Sequence, residues 1–326
     1  MIKAGIVGLG RWGRILVEAT ADSREICFVK GTTRTLANAN DFADKNGFAL
    51  VSSYEDLLRD PEIDALVFAT PHSHHEGQVI AAASAGKHVF VEKPFTLEKS
   101  AAERAVAAVD ERGVVLGLGH NRRFHPSMQM MRDKISSGDI GTIVHIDCTM
   151  TGPAGQKLTG DHWRARSSEA PGGAMTAIGI HLVDGIMDLA GPIEEVFCRS
   201  VRRFTKLETE DTTSVSLQLK SGATASLMCS IVAPLSYRFA VVGTKGIAAV
   251  STTGLDRFEW QPLGGGAPEC TMTSGFDTVR AELEAFAKAI NSGGGYRISH
   301  DEMIHGSAVL EAAIISAANG QPVEVA

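Results

Sequence analysis

Over the first 120 residues, short runs of apolar and mostly β-branched residues alternate with longer stretches of helical spacing. This rhythm predicts strands at 3–7, 26–30, 65–69, 88–91 and 114–118, with helices at 12–20, 36–45, 76–85 and 97–111 between them. The strands are apolar throughout rather than at every second position, as expected of a parallel sheet covered on both faces. After about residue 120 the texture changes. A helix at 127–137, a strand at 142–149, a Gly/Pro-punctuated loop at 151–173 and a helix at 174–189 precede strands at 196–204, 212–219, 223–232, 239–242 and 247–251. Turn residues at Lys220-Ser221-Gly222-Ala223 and Gly243-Thr244-Lys245-Gly246 read as hairpins, so this second sheet is expected to be mostly antiparallel. Helices at 276–291 and 301–318 follow, which gives a domain at 1–120 and another at 121–326.

Composition narrows the class. With 31 Lys+Arg against 38 Asp+Glu in 326 residues the net charge is -7, which leaves no basic footprint for nucleic acid. No run of 18 apolar residues suggests a membrane span, and Met1-Ile2-Lys3-Ala4 does not read as a secretory leader. Cys27, Cys148, Cys198, Cys229 and Cys270 are odd in number and form no C-x-x-C, which suits a reducing, cytoplasmic setting.

Gly8-Leu9-Gly10-Arg11-Trp12-Gly13 follows the first predicted strand and opens the first helix. In that context Gly8 suits a tight turn, Gly10 a close backbone approach to a pyrophosphate, and Gly13 close packing of helix on strand. Free N–H groups at the helix start favour an anion there. An NAD-preferring domain places an acidic residue about 20 residues later, for the ribose 2′-OH. Here the segment reads Lys30-Gly31-Thr32-Thr33-Arg34, with hydroxyls and a guanidinium instead, so NADP(H) is expected over NAD(H). Arg34 read alone is also compatible with a solvated residue at a helix start.

Two further segments fall at the ends of predicted strands, where ligands gather on a doubly wound sheet: Thr70-Pro71-His72-Ser73-His74-His75 and Glu92-Lys93-Pro94. Together with the glycine motif, the run from Ala85 to Pro94, Asn121-Arg122-Arg123-Phe124-His125-Pro126, Trp163-Arg164, and Gly172-Gly173 leading to Gly179-Ile180-His181-Leu182-Val183-Asp184, they resemble one family almost end to end. It is the glucose-fructose oxidoreductase, inositol dehydrogenase and rhizopine-catabolism (Gfo/Idh/MocA) family. The resemblance implies an α/β chain: an N-terminal Rossmann dinucleotide-binding domain, then a C-terminal α+β domain with a large open, mostly antiparallel sheet.

It also implies an NAD(P)-dependent oxidoreductase acting on the CH–OH or carbonyl group of a sugar, polyol, cyclitol or related small molecule. By resemblance the catalytic pair is Lys93, hydrogen-bonding the reacting oxygen, and His181, which helps move the proton. The physics of the two side chains agrees, since an ammonium stabilises alkoxide charge and imidazole titrates near neutral pH. Cofactor contacts are expected from Gly8, Gly10, Arg11, Trp12, Gly13, Thr32, Thr33, Arg34, Thr70, Pro71, His75, Glu92 and Lys93. Substrate contacts are expected from Arg123, His162, Trp163, Arg164, His181 and Asp184. Arg123 could instead pair with an acidic residue, and Asp184 could orient the imidazole or serve helix packing. Many members carry Asp four residues before the histidine; this chain has Ala177, which leaves open a nucleotide-binding sensor that has lost turnover, and a separate alternative is an enzyme that keeps its nicotinamide bound through an internal redox cycle. His72, His74 and His75 lack metal-ligand spacing, so no metal is expected. An open sheet with one bare apolar face would make a homodimer or homotetramer.

Overall fold

The computed structural model describes residues 1–326, which fall into two compact units: Met1–Asn121 with Asp277–Ile304, and Arg122–Phe276 with His305–Ala326. The chain begins β1 (Ile2–Val7), α1 (Arg11–Ala19), β2 (Ile26–Thr32), α2 (Asn40–Asn46), β3 (Ala49–Leu50), α3 (Tyr54–Arg59) and β4 (Ala65–Phe68). It continues α4 (His75–Ser84), β5 (His88–Glu92), α5 (Lys99–Arg112), β6 (Leu116–Gly119), α6 (Pro126–Ser136), β7 (Ile143–Thr151) and α7 (Ile180–Ala190). Then come β8 (Ile193–Val201), β9 (Thr212–Leu219), β10 (Thr224–Ser230), β11 (Ser236–Gly243), β12 (Gly246–Ser251), β13 (Arg257–Pro262) and β14 (Glu269–Met272). The last elements are α8 (Thr278–Ser292), α9 (His300–Asn319) and β15 (Val323–Glu324).

In the first unit six parallel strands lie in the order β3-β2-β1-β4-β5-β6. Ile6, Leu66, Val67, Phe68, Val89, Phe90 and Val91 are all buried, which is why these strands read as unbroken apolar runs. The order reverses direction between β1 and β4, and the crevice past their carboxyl ends is where such a sheet binds ligands. The charged helix α3 is fixed at its start by a capping box between Ser53 and Asp56. Residues 277–304 return to this unit, where the sequence pattern placed them with the second domain. Phe286 of α8 meets Phe90 edge-on at 5.6 Å, and the Tyr296 hydroxyl donates to the Leu118 carbonyl at 3.3 Å. Hydrophobic burial against β5 and β6 thus decides the membership of this segment.

In the second unit nine strands run in the order β14-β13-β12-β11-β7-β10-β9-β8-β15, with only β7 and β10 parallel. Ile146, Cys148, Leu227, Cys229 and Phe239 form the buried face. The helix expected at 174–189 starts as a π-helix, Met175–Gly179, and becomes α-helical only at Ile180. Gly173 enters it at φ +44°, with room for no side chain: a Cβ there would lie 1.8 Å from the Glu210 carbonyl oxygen. The opposite face of the sheet differs from the apolar surface expected. Asp147 accepts from the Ser226 hydroxyl and from Arg238 Nη1, both at 2.8 Å, and His145 Nδ1 lies 2.8 Å from the Thr224 hydroxyl. Alternation of apolar and polar positions along β7, β9 and β10 produces this two-sidedness.

Candidate active site

In the first unit the turn after β1 is shaped by the backbone. Gly8 has φ +96°, and a Cβ there would meet the Ala69 carbonyl oxygen at 2.5 Å. A Cβ on Gly13 would lie 1.9 Å from the Gly8 carbonyl oxygen, so α1 and β1 could not approach as they do. Gly10 is different, with nothing within 4 Å of a built Cβ, and therefore faces open space at the start of α1. The cradle fits a pyrophosphate, because the free N–H groups of the first helical turn face that space. Arg14 pins the turn: Nε donates to the Leu9 carbonyl at 3.2 Å, Nη2 to the Asn38 carbonyl at 2.6 Å, and the guanidinium stacks on Phe42. Arg11 is exposed, and Trp12 is half-buried with an indole N–H that donates to nothing. At the end of β2, Thr32 is buried, Thr33 half-buried and Arg34 exposed.

The segments after β4 and β5 are tied together by His75. Its Nδ1 lies 2.9 Å from the Pro94 carbonyl and 3.3 Å from that of Phe95, while Nε2 lies 3.3 Å from the Thr70 carbonyl. The ring is completely buried, which pushes its pKa below the usual histidine value. Burial favours the neutral ring, in which one nitrogen donates, and the shorter contact points to Nδ1 donating to the Pro94 carbonyl. Thr70 donates its hydroxyl to Gln78 Oε1 at 2.6 Å, and Pro71 leads into the short turn of His72–His74. Glu92 is buried beside Gly119, where a Cβ would come 2.7 Å from Glu92 Oε1. Lys93 follows, half-buried, on the amino side of a cis peptide bond to Pro94. His72 packs edge-on against His75 at 5.8 Å, and no group of three His, Cys, Asp or Glu side chains is arranged to hold a metal ion.

In the second unit His181 sits on the first turn of α7 with 8% of its surface exposed. One turn on, Asp184 is held by Arg123, whose Nε donates to Oδ1 at 2.9 Å. Arg123 Nη1 also reaches Asp188 at 3.4 Å, and Arg132 pairs with the same carboxylate. Arg123 is 2% exposed, so its guanidinium is engaged by α7. Thr176 donates its hydroxyl to the Pro171 carbonyl and anchors the π segment that carries Ala177. In the loop before Gly172, His162 stacks on Trp163 at 5.8 Å, with the Arg164 guanidinium 4.1 Å above the same ring. These three expected substrate contacts thus form a stack of their own, and burial together with the neighbouring Arg164 holds the His162 pKa low.

Two residues at this place were missed by sequence reasoning, Arg122 and Tyr237. The Arg122 guanidinium lies 4.9 Å from the centre of the Tyr237 ring. No sequence signal separates Arg122 from its neighbour Arg123, because only the fold decides which of them meets the carboxylates of α7.

Comparison with known proteins agrees with this architecture. Residues 2–120 match the model described as "Oxidoreductase family, NAD-binding Rossmann fold", and residues 128–249 match the GFO/IDH/MocA C-terminal domain. The chain belongs to the Gfo/Idh/MocA family of oxidoreductases. It is 30% identical over 260 residues to the uncharacterized oxidoreductase YrbE of Bacillus subtilis, covering 77% of this chain and 74% of that protein. It is 27% identical to the 1,5-anhydro-D-fructose reductase of Ensifer adhaerens, over 97% of this chain and 99% of the reductase. Among solved structures, a candidate NADPH-dependent oxidoreductase of Desulfitobacterium hafniense superposes with a TM-score of 0.92 at 25% identity, covering 99% of this chain and 97% of that one.

Proposed function

We propose that the protein is an NADP(H)-dependent dehydrogenase or reductase of a small hydroxy or keto compound. The observation that carries this reading is the nucleotide cradle itself: Gly8 and Gly13 closed around backbone, Gly10 open to a phosphate, and Lys93 held on the adjoining strand end by the His75 brace. When bound, the nicotinamide would supply or accept the hydride. The first helical turn of α1 would hold the pyrophosphate, and Thr33 and Arg34 the ribose with its 2′-phosphate. Lys93 would donate a hydrogen bond to the substrate oxygen and stabilise negative charge developing on it, while His181 takes or returns the hydroxyl proton. The full-length similarity to a reductase named for 1,5-anhydro-D-fructose supports a small polyhydroxylated carbonyl substrate.

The test is a screen of polyols, sugars, hydroxy acids and their keto forms with both nucleotides at 340 nm, run beside Lys93→Ala. That variant is expected to lose about 100-fold or more in turnover while nucleotide affinity stays within a few-fold. Near-normal turnover would remove Lys93 from the chemistry.

A further inference from the structure

Arg122, half-buried, lacks what its buried neighbour Arg123 has. Arg123 meets two carboxylates, whereas Arg122 forms no ion pair, its buried Nε–H donates to nothing, and its one contact is the face of Tyr237. An aromatic face offsets only part of the cost of withdrawing a cation from water. Burial accordingly pulls the Arg122 pKa down. Tyr237 is 5% exposed, its hydroxyl makes no hydrogen bond within the protein, and burial drives its pKa up, so the phenol stays protonated and able to donate. Two hydrogen-bond donors that the protein leaves unused therefore adjoin each other.

Their position follows from register. Cys229, Met150 and Tyr237 lie in one row across β10, β7 and β11; Leu227, Cys148 and Phe239 form the next row. A Cβ on Gly179 would touch Cys229 Sγ at 3.0 Å, and one on Gly185 would touch the Phe239 ring at 2.9 Å. The helix thus crosses diagonally from the first row on β10 to the second on β11. His181 lies two residues into that crossing, over the part of the sheet whose corner is Tyr237. Arg122 is held at the same place by its neighbour Arg123, which is paired with Asp184 one turn beyond His181. The charges also settle the sign. Arg123 and Arg132 pair with Asp184 and Asp188, whereas Arg122 pairs with neither, so its positive charge is left over, and the chain carries no acidic residue between Glu169 and Asp184.

We infer that Arg122 and Tyr237 form a carboxylate-binding subsite beside His181, so that the substrate is a hydroxy or keto acid such as an aldonate or uronate. This rests on the proposed reading of the second unit as the substrate-binding half. A single uncompensated cation matches a monoanion. A phosphate dianion would bring a second negative charge toward Asp184 and Asp188, beyond the single charge that Arg122 matches.

Calorimetry on the NADP+-loaded protein tests this with matched pairs that differ in one group: D-gluconate against D-glucitol, D-glucuronate against D-glucose, and D-glucose 6-phosphate as the dianion. At least one carboxylate is expected to bind about 10- to 100-fold more tightly than its neutral partner, the range for losing or gaining a charge-assisted hydrogen bond. Arg122→Met should remove that preference, Arg122→Lys should keep part of it, and Tyr237→Phe should reduce it. Neutral compounds binding as well as the carboxylates, the phosphate binding best, or a preference unchanged in Arg122→Met would each overturn the inference. Absorbance at 340 nm separates it from the parent reading. Arg122-dependent binding without turnover of any bound compound would fail the dehydrogenase and keep the subsite, whereas turnover of neutral polyols alone would do the reverse.

Discussion

Replacing Arg123 by Met distinguishes a substrate contact from a residue that positions α7. The guanidinium is 2% exposed, 2.9 Å from Asp184 and 3.4 Å from Asp188, and Asp184 is itself only 3% exposed. Truncating the cation leaves a buried carboxylate without this counter-charge, a change that costs about 3–5 kcal/mol. For a unit of this size each kcal/mol lowers the melting temperature by about 2–4 °C, so the variant should melt roughly 6–20 °C lower. The double variant Arg123→Met, Asp184→Leu removes both charges and should recover most of that loss, because a buried pair replaced by apolar groups is often neutral in stability. Asp188 keeps Arg132 in both variants. Thermal unfolding followed by circular dichroism, with steady-state kinetics on the same samples, reads the two roles apart. A positioning role predicts a large drop in melting temperature and a fall in kcat larger than the rise in KM, since His181 rides on the same helix. An unchanged melting temperature with a selective rise in KM, equal in single and double variants, would refute the positioning role.

Arg34→Ala should weaken NADP+ by about 10- to 100-fold and leave NAD+ nearly unaffected, as measured by calorimetry, because a charge-assisted contact to the 2′-phosphate is lost; tighter binding of NAD+ than NADP+ by the parent protein would contradict the assignment. Gly172→Ala and Gly173→Ala both put a side chain at positive φ, but at Gly172 the nearest atom is 3.5 Å away and at Gly173 it is a carbonyl oxygen at 1.8 Å. The first should cost about 1–2 kcal/mol in urea unfolding. The second should cost well above that and reduce turnover as well; equal costs would refute the packing argument. Burial favours the neutral form of His75 in the fold and holds its pKa below the 6.5 of a free histidine, so the unfolded chain takes up the proton first. Its contribution to stability is therefore complete above about pH 6.5 and is lost as the pH falls toward the depressed value. His75→Leu should be less stable at neutral pH and flatter than the parent below pH 6.5, and parallel pH profiles would show that the His75 ring does not titrate as described.

The alternation of the first unit was legible because parallel strands buried on both faces are apolar nearly throughout, and the short runs 65–68 and 89–91, bounded by polar or turn residues, are too short for helices. The glycine turn was legible for a similar reason, since Gly8 and Gly13 occupy places where any Cβ meets a backbone oxygen. Features set by distant partners were not. β3 is two residues long, and the edge strand β14 is exposed at all four of its residues, so no buried stripe marks it. The amphipathic spacing of α8 announces a helix but not which sheet will cover Phe286. A π turn has nearly the same local composition as an α turn, so Met175–Gly179 shows only when its neighbours Gly173 and Gly179 are seen against Glu210 and Cys229. At the candidate site Lys93 and His181 were recognised as family motifs, whereas Arg122 and Tyr237 lie 115 positions apart and meet only through the fold.

His181 is clamped by two different kinds of interaction. On its amino side Gly173 against Glu210, Thr176 on Pro171 and Gly179 against Cys229 fix the π segment by packing and hydrogen bonds. On its carboxyl side Asp184 and Asp188 fix the helix by charge, through Arg123 and Arg132. π turns inside helices occur frequently at functional sites, and a histidine with the proposed proton-handling role must be held closely, because a displacement of about 1 Å can cost 100-fold in rate. The same charge clamp also shapes recognition. By engaging Arg123 it leaves Arg122 without a carboxylate partner, so on the proposed reading the residues that hold the imidazole in place would also set the charge of the compound brought to it.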